Sequence, residues 1–125
     1  MTDFDALQRD LRAFVAERDW SRFHDPKSLL LALTGEVGEL CEVFQWIPAS
    51  EAADRARTEP VREQVADEIA DVLIYLLHLA DSVGIDPVDA AAAKLVRNRS
   101  RFPPLLSEAP PVDAPGLSPM LRSDE

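Results

Sequence analysis

Leu29-Leu30-Leu31-Ala32-Leu33-Thr34-Gly35-Glu36-Val37-Gly38-Glu39-Leu40-Cys41-Glu42-Val43 is the stretch whose periodicity decides how this chain folds. Asp25 in front of it is a good helix N-cap, Pro26 suits the first helical position and Pro48 stops the segment, so one helix is predicted from about Pro26 to Ile47. At about 100° per residue, Leu29, Leu33, Glu36, Leu40 and Val43 share one narrow sector, with Glu39 at its edge. Two carboxylates therefore project from an apolar stripe. Glu42 lies about 120° from Glu36, toward the rim, and ranks below them as a ligand.

A second acidic pair, Glu68-Ile69-Ala70-Asp71, repeats the spacing inside another apolar segment, predicted as a helix from about Val61 to Val83 and ending near Gly84. Residues at i and i+3 share a helix face, so two such helices packed together offer four oxygen ligands. No Lys or Arg occurs between Ser28 and Asp54 or between Glu63 and Ala93. Two carboxylates about 4 Å apart repel by roughly 4 kcal/mol at an effective dielectric of ~20. A bound divalent cation resolves that conflict most simply, and oxygen-only donors favour Mg²⁺, with Mn²⁺ as a substitute, over iron or zinc. Di-iron carboxylate bundles need Glu-x-x-His motifs on two helices; the only histidines are His24 and His78, preceded at three residues by Ser21 and Tyr75.

The rest of the chain also reads as helix. The segment from about Asp5 to Asp19 carries Leu7, Leu11, Phe14 and Val15 on one stripe, and Asp86-Pro87 opens a last helix to about Arg101. The polar connection from Pro48 to Pro60 has room for a short turn of helix. The class is all-α, a four-helix bundle over residues 1–102. From Ile69 to Ala80 the third helix is apolar almost all round, which calls for cover on several sides, so a homodimer or homotetramer is expected. Six of the ten prolines fall between Pro103 and Pro119, and 103–125 is expected to be a disordered tail.

Composition narrows the function. A formal net charge of -10 over 125 residues argues against gripping a nucleic-acid backbone. The longest apolar run, Val72 to Ala80, is far short of the ~20 residues that span a bilayer, and Asp3 and Asp5 stand where a secretory signal carries basic residues. The single cysteine, Cys41, excludes an internal disulfide and is expected as a small buried apolar residue. A cytoplasmic protein without membrane or nucleic-acid polymer as partner follows.

The last helix has a basic side of Lys94, Arg97, Asn98 and Arg101, with Lys94 and Asn98 at i and i+4 able to reach one phosphate-sized group. Trp20, Phe23, His24 and Trp46 lie near the ends of the first two helices, where rings of this kind cap a core or stack on a base. Tyr75 projects within about 20° of Glu68, as a hydrogen-bonding neighbour or as packing.

These residues resemble the MazG-like all-α nucleoside triphosphate pyrophosphohydrolases, and within them the dCTP pyrophosphatase branch, over roughly Leu7 to Pro104. The likeness is carried by Glu17 to Trp20, Arg22-Phe23-His24, Leu29 to Leu33, Gly35 to Leu40, Phe44-Gln45-Trp46, Glu68 to Tyr75, and Lys94 with Asn98. The resemblance implies a helical homo-oligomer, usually a tetramer, that splits a nucleoside triphosphate into monophosphate and pyrophosphate using Mg²⁺, as nucleotide-pool house-cleaning. It implies Glu36, Glu39, Glu68 and Asp71 as metal ligands, Lys94 and Asn98 as phosphate contacts, and Trp20, His24 and Trp46 as the base pocket. Glu39 is the expected water-activating group, Lys94 a catalytic cation, and Arg101 and Tyr75 further substrate contacts. Phe102 stands where related chains often carry Tyr, and residues 11–13 lack a further His associated with cytosine pockets. Base preference stays open between dCTP, a modified dCTP and others such as dUTP, beside a module that binds nucleotide or metal without turnover.

Overall fold

A computed structural model describes residues 2–105, so the expected disordered tail lies outside the described residues from 106 onward. The order is α1 (Phe4–Glu17), a 3-10 turn (Ser21–Phe23), α2 (Pro26–Phe44), α3 (Ala49–Ala56), α4 (Val61–Ser82) and α5 (Pro87–Arg101). Among the described residues there is no strand, and no helix is long and apolar enough to cross a membrane. The connection before Pro60 folds into α3, a two-turn helix, so the described residues form five α-helices where four were expected. Those described residues divide into two compact units on either side of Pro87–Val88.

Local chemistry sets the helix ends. Asp3 accepts from the Ala6 N–H at 2.7 Å to start α1, and Asp25 accepts from the N–H and hydroxyl of Ser28 at 2.9 and 2.6 Å to start α2. These bonds hold the Asp25 carboxyl below its ordinary range. At the end of α4, Ile85 N–H reaches Ala80 O at 3.0 Å and Gly84 N–H reaches Asp81 O at 3.2 Å, with Gly84 at φ +67°, a left-handed turn that glycine accepts without strain. The same arrangement closes α1, where Trp20 N–H reaches Val15 O at 3.1 Å and Asp19 takes the left-handed position at φ 52°. α2 ends at Phe44, three residues before the expected Ile47.

In the first unit α2 packs along α4, and α1 and α3 also lie against α4. The α2–α4 pair is antiparallel: His24, just before α2, meets His78 near the end of α4, while Glu39 in the second half of α2 meets Glu68 in the first half of α4. Val15, Leu29, Leu77 and Ala80 are buried and form the core between α1, α2 and α4. Leu77 is 2 % exposed, and Leu77→Ala should cost about 3 kcal/mol in denaturant unfolding. Cover on α4's other sides is thin. Ile69 is 53 % exposed, and Leu31 on α2 63 %. Cys41 is exposed rather than buried, because its sector of α2 turns away from the α4 contact.

Candidate metal centre

The antiparallel α2–α4 pairing places the two acidic motifs opposite one another. Glu36, Glu39 and Glu68 each contribute one carboxylate oxygen to a group whose atoms all lie within 4.8 Å of one another. Asp71 stands outside that group, yet its charge acts on both Glu36 and Glu68. Glu36, Glu68 and Asp71 are half-buried and Glu39 is exposed. Glu36 Oε2 and Glu68 Oε2 are buried without a hydrogen-bond partner, which is costly for a carboxylate unless a cation or a proton meets it. Lost hydration, then the hydrogen-bonding contact with Glu39 and the charges of Glu39, Asp71 and Glu68, push the Glu36 carboxyl up to about 7. Glu68 is raised as well, first by lost hydration and then by the Glu39 charge.

Such a donor set suits a hard divalent cation. Oxygens on opposite sides of a Mg²⁺ ion lie about 4.2 Å apart, close to the span of the three carboxylates. A pH dependence follows with a definite sign. Carboxyls raised above their unfolded values favour the folded state at low pH, and that contribution is lost as pH rises through the folded value, about 7 for Glu36. Metal-free protein should therefore lose thermal stability between about pH 5.5 and about pH 8, while added Mg²⁺ should stabilise it more at the upper end, where no proton has to be displaced. Differential scanning fluorimetry with Mg²⁺ and with EDTA reads both effects; a Mg²⁺-induced shift independent of pH would contradict them.

A cavity of about 420 Å³ opens beside the carboxylates, lined by Glu39, Glu42, Val43, Gln64, Asp67 and Glu68. Glu42, which ranked low by helix angle, thus borders the mouth of the site. Asp67 and Gln64 carry no i, i+3 acidic signal in the sequence, Asp67 because its neighbours at that spacing are Gln64 and Ala70 and Gln64 because it is uncharged; one turn of α4 places both on the open side.

The aromatic candidates separate. Tyr75 and His24 both lie beside His78, with ring centroids 6.2 and 4.9 Å from it. Trp20 packs edge-on against Phe14 at 5.5 Å, with the Arg18 guanidinium 3.6 Å above the Phe14 ring and 6.0 Å from the Trp20 ring. Trp46 is 86 % exposed beyond the far end of α2. Trp20 precedes and Trp46 follows a helix of 19 residues, roughly 28 Å long, so the two rings of one chain cannot flank one base. Phe23 is exposed under Arg22. In the second unit Lys94, Asn98 and Arg101 fall within about 60° of one another on α5; Asn98 is buried, and Arg101 lies 5.2 Å over the Phe102 ring.

Residues 32–104 match the MazG-like family. The chain belongs to that family. This MazG-like chain is 48% identical over 94 residues to dCTP pyrophosphatase 1 of Bos taurus, covering 75% of this chain and 56% of that protein. It is 45% identical over 96 residues to dCTP pyrophosphatase 1 of Homo sapiens, covering 77% and 56%. It thus spans a little over half the length of these relatives. The dATP/dGTP diphosphohydrolase of Cyanophage S-2L is 35% identical over 95 residues, covering 76% of this chain and 72% of that protein. A crystal structure of a pyrophosphatase from Archaeoglobus fulgidus superposes with a TM-score of 0.75 at 36% identity, covering 83% of this chain and 95% of that one.

Proposed function

We propose that this chain is a Mg²⁺-dependent pyrophosphohydrolase that converts a deoxynucleoside triphosphate, with dCTP or a modified dCTP as the preferred substrate, to the monophosphate and pyrophosphate. The observation that carries it is the gathering of Glu36, Glu39 and Glu68 within 4.8 Å, with two buried carboxylate oxygens lacking a partner. Likeness to dCTP pyrophosphatase 1 supports the substrate class.

Glu36, Glu68 and Asp71 hold the ion together with Glu39. When bound, Mg²⁺ supplies charge neutralisation and polarisation of the phosphoryl oxygens. Glu39, the exposed member, orients the attacking water and accepts its proton. Lys94 and Asn98 are assigned to the phosphates by their match to the family pattern and Arg101 by its place on the same side of α5, Lys94 meeting charge that develops on the leaving pyrophosphate. Trp20, His24, Trp46 and Tyr75 form the nucleoside pocket.

The active form is a homodimer or homotetramer. Exposed Leu31 and Ile69 are apolar area that association removes from water, and the separation of Trp20 from Trp46 supports a base pocket that takes one tryptophan from each of two copies. Residues 1–102 are the working domain, with 103–125 outside it, and the setting is a cytoplasmic nucleotide-pool house-cleaner acting on no polymer. A second base preference is favoured by the likeness to the dATP/dGTP diphosphohydrolase, so purine nucleotides belong beside dCTP, modified dCTP and dUTP in the test. Chromatography of products from that panel with Mg²⁺ and with EDTA should show monophosphate and pyrophosphate only with metal. Binding without turnover of any nucleotide would make the chain a binding module instead.

A further inference from the structure

His78 has no part in the chemistry above, yet it sits in a telling place. It lies seven residues beyond Asp71 on α4, about 10 Å along the axis. Its side chain is half-buried, with the Tyr75 ring centroid 6.2 Å away at 83° and the His24 ring centroid 4.9 Å away at 45°. His24 belongs to the short segment joining α1 to α2, which also carries Trp20. Within that segment the backbone bonds run from Trp20 to Val15, from Phe23 to Trp20 and from His24 to Ser21, holding it to α1 and to itself. The His24–His78 ring contact ties it to α4, beside a cavity of about 350 Å³ lined by Arg12, Val15, Ser21, His24, His78 and Asp81 among others.

We propose that His78 is a positioning residue for nucleotide binding: its ring holds His24, and with it the Trp20–His24 segment, against α4, and the segment is released when both imidazoles are charged. This rests on Trp20 and His24 contacting the nucleotide, as proposed above. The charged and titratable groups facing His78 are His24 from the segment, Arg12 from α1, and Tyr75 and Asp81 from its own helix. Arg12 and Asp81 are paired at 2.7 Å, so the His24 ring, 4.9 Å away, bears on His78 most directly. Burial, and then the His24 charge, lower the His78 pKa, with Asp81 opposing. A histidine lowered in the folded state favours that state at high pH, so the contact is complete above the ordinary imidazole range and is lost as pH falls below it.

The chain has two histidines and two tryptophans, so NMR of the full chain resolves each ring. In the wild type the Trp20 indole signal should move with the titration of the His78 imidazole. In His78→Phe, which keeps a ring of similar size in the same place, the Trp20 signal should cease to follow pH. A Trp20 signal indifferent to the titration of His78 would overturn the proposal.

Kinetics give a second readout. From about pH 7.5 to about pH 5.5 the nucleotide KM should rise about tenfold in the wild type and less than about twofold in His78→Phe, with the ratio of their kcat values constant across the range. His78→Ala, lacking any ring, should raise KM about fivefold already near pH 7.5 with kcat within about twofold. Parallel KM profiles in wild type and His78→Phe would sink the idea. Should the wild type turn over no nucleotide, the proposed activity fails and the NMR titration decides the ring contact by itself.

Discussion

Glu36→Gln should lower Mg²⁺-dependent turnover about a thousandfold while leaving the metal-free protein at least as stable as the wild type. Loss of the activity follows from the metal's work: a ligand removed from a site that neutralises transition-state charge forfeits several kcal/mol, and about 4 kcal/mol is a factor of about 10³. The stability runs the other way because Glu36 sits among Glu39, Glu68 and Asp71, whose charges oppose its ionisation, and its Oε2 is buried without a partner. A neutral amide of the same shape removes the repulsion. Such a gain in stability on losing a functional group is a common sign of a strained site. Steady-state assays paired with thermal unfolding in EDTA measure both; turnover within tenfold of the wild type would remove Glu36 from the metal centre.

Trp20→Ala and Trp46→Ala should each cut kcat/KM by about a hundredfold, a large aromatic contact with a base being worth about 1–3 kcal/mol. An equal mixture of the two, unfolded and refolded together, should recover about a quarter of wild-type activity. Half of the random dimers carry one copy of each variant, and in those one site of two has both rings intact. The expectation comes from the length of α2: with about 28 Å of helix between them, the two rings meet over one base only when they belong to different copies. A mixture no more active than its components would place the pocket within a single chain and leave Trp46 with another role.

Much of the architecture was legible because its signals are local. Asp25 and Pro26 start α2, Gly84 closes α4 in the left-handed conformation, and Pro87 opens α5, each by a bond or a dihedral preference that spans a few residues. Asp19 escaped notice because its left-handed conformation is one that sequence leads a reader to expect of glycine. Local signal for α3 is faint, since eight residues without an apolar run carry little periodicity.

The candidate site divides in the same way. Helical spacing alone put Glu36 near Glu39 and Glu68 near Asp71, and the lack of local cations in both segments marked them as unusual. That Glu36, Glu39 and Glu68 each bring an oxygen within 4.8 Å of the others while Asp71 acts on Glu36 and Glu68 by its charge, that Asp67 and Gln64 border the mouth, and that His24 meets His78 depend on the direction and register in which α2 packs on α4. The sequence by itself determined which residues form helices, and which face of each helix carries charge in an apolar stripe, because those properties repeat every few residues along one chain. Only the tertiary structure decided which of those faces meet and which aromatic residues are kept far apart, because register between two helices is set by side-chain packing across a distance that no local pattern encodes.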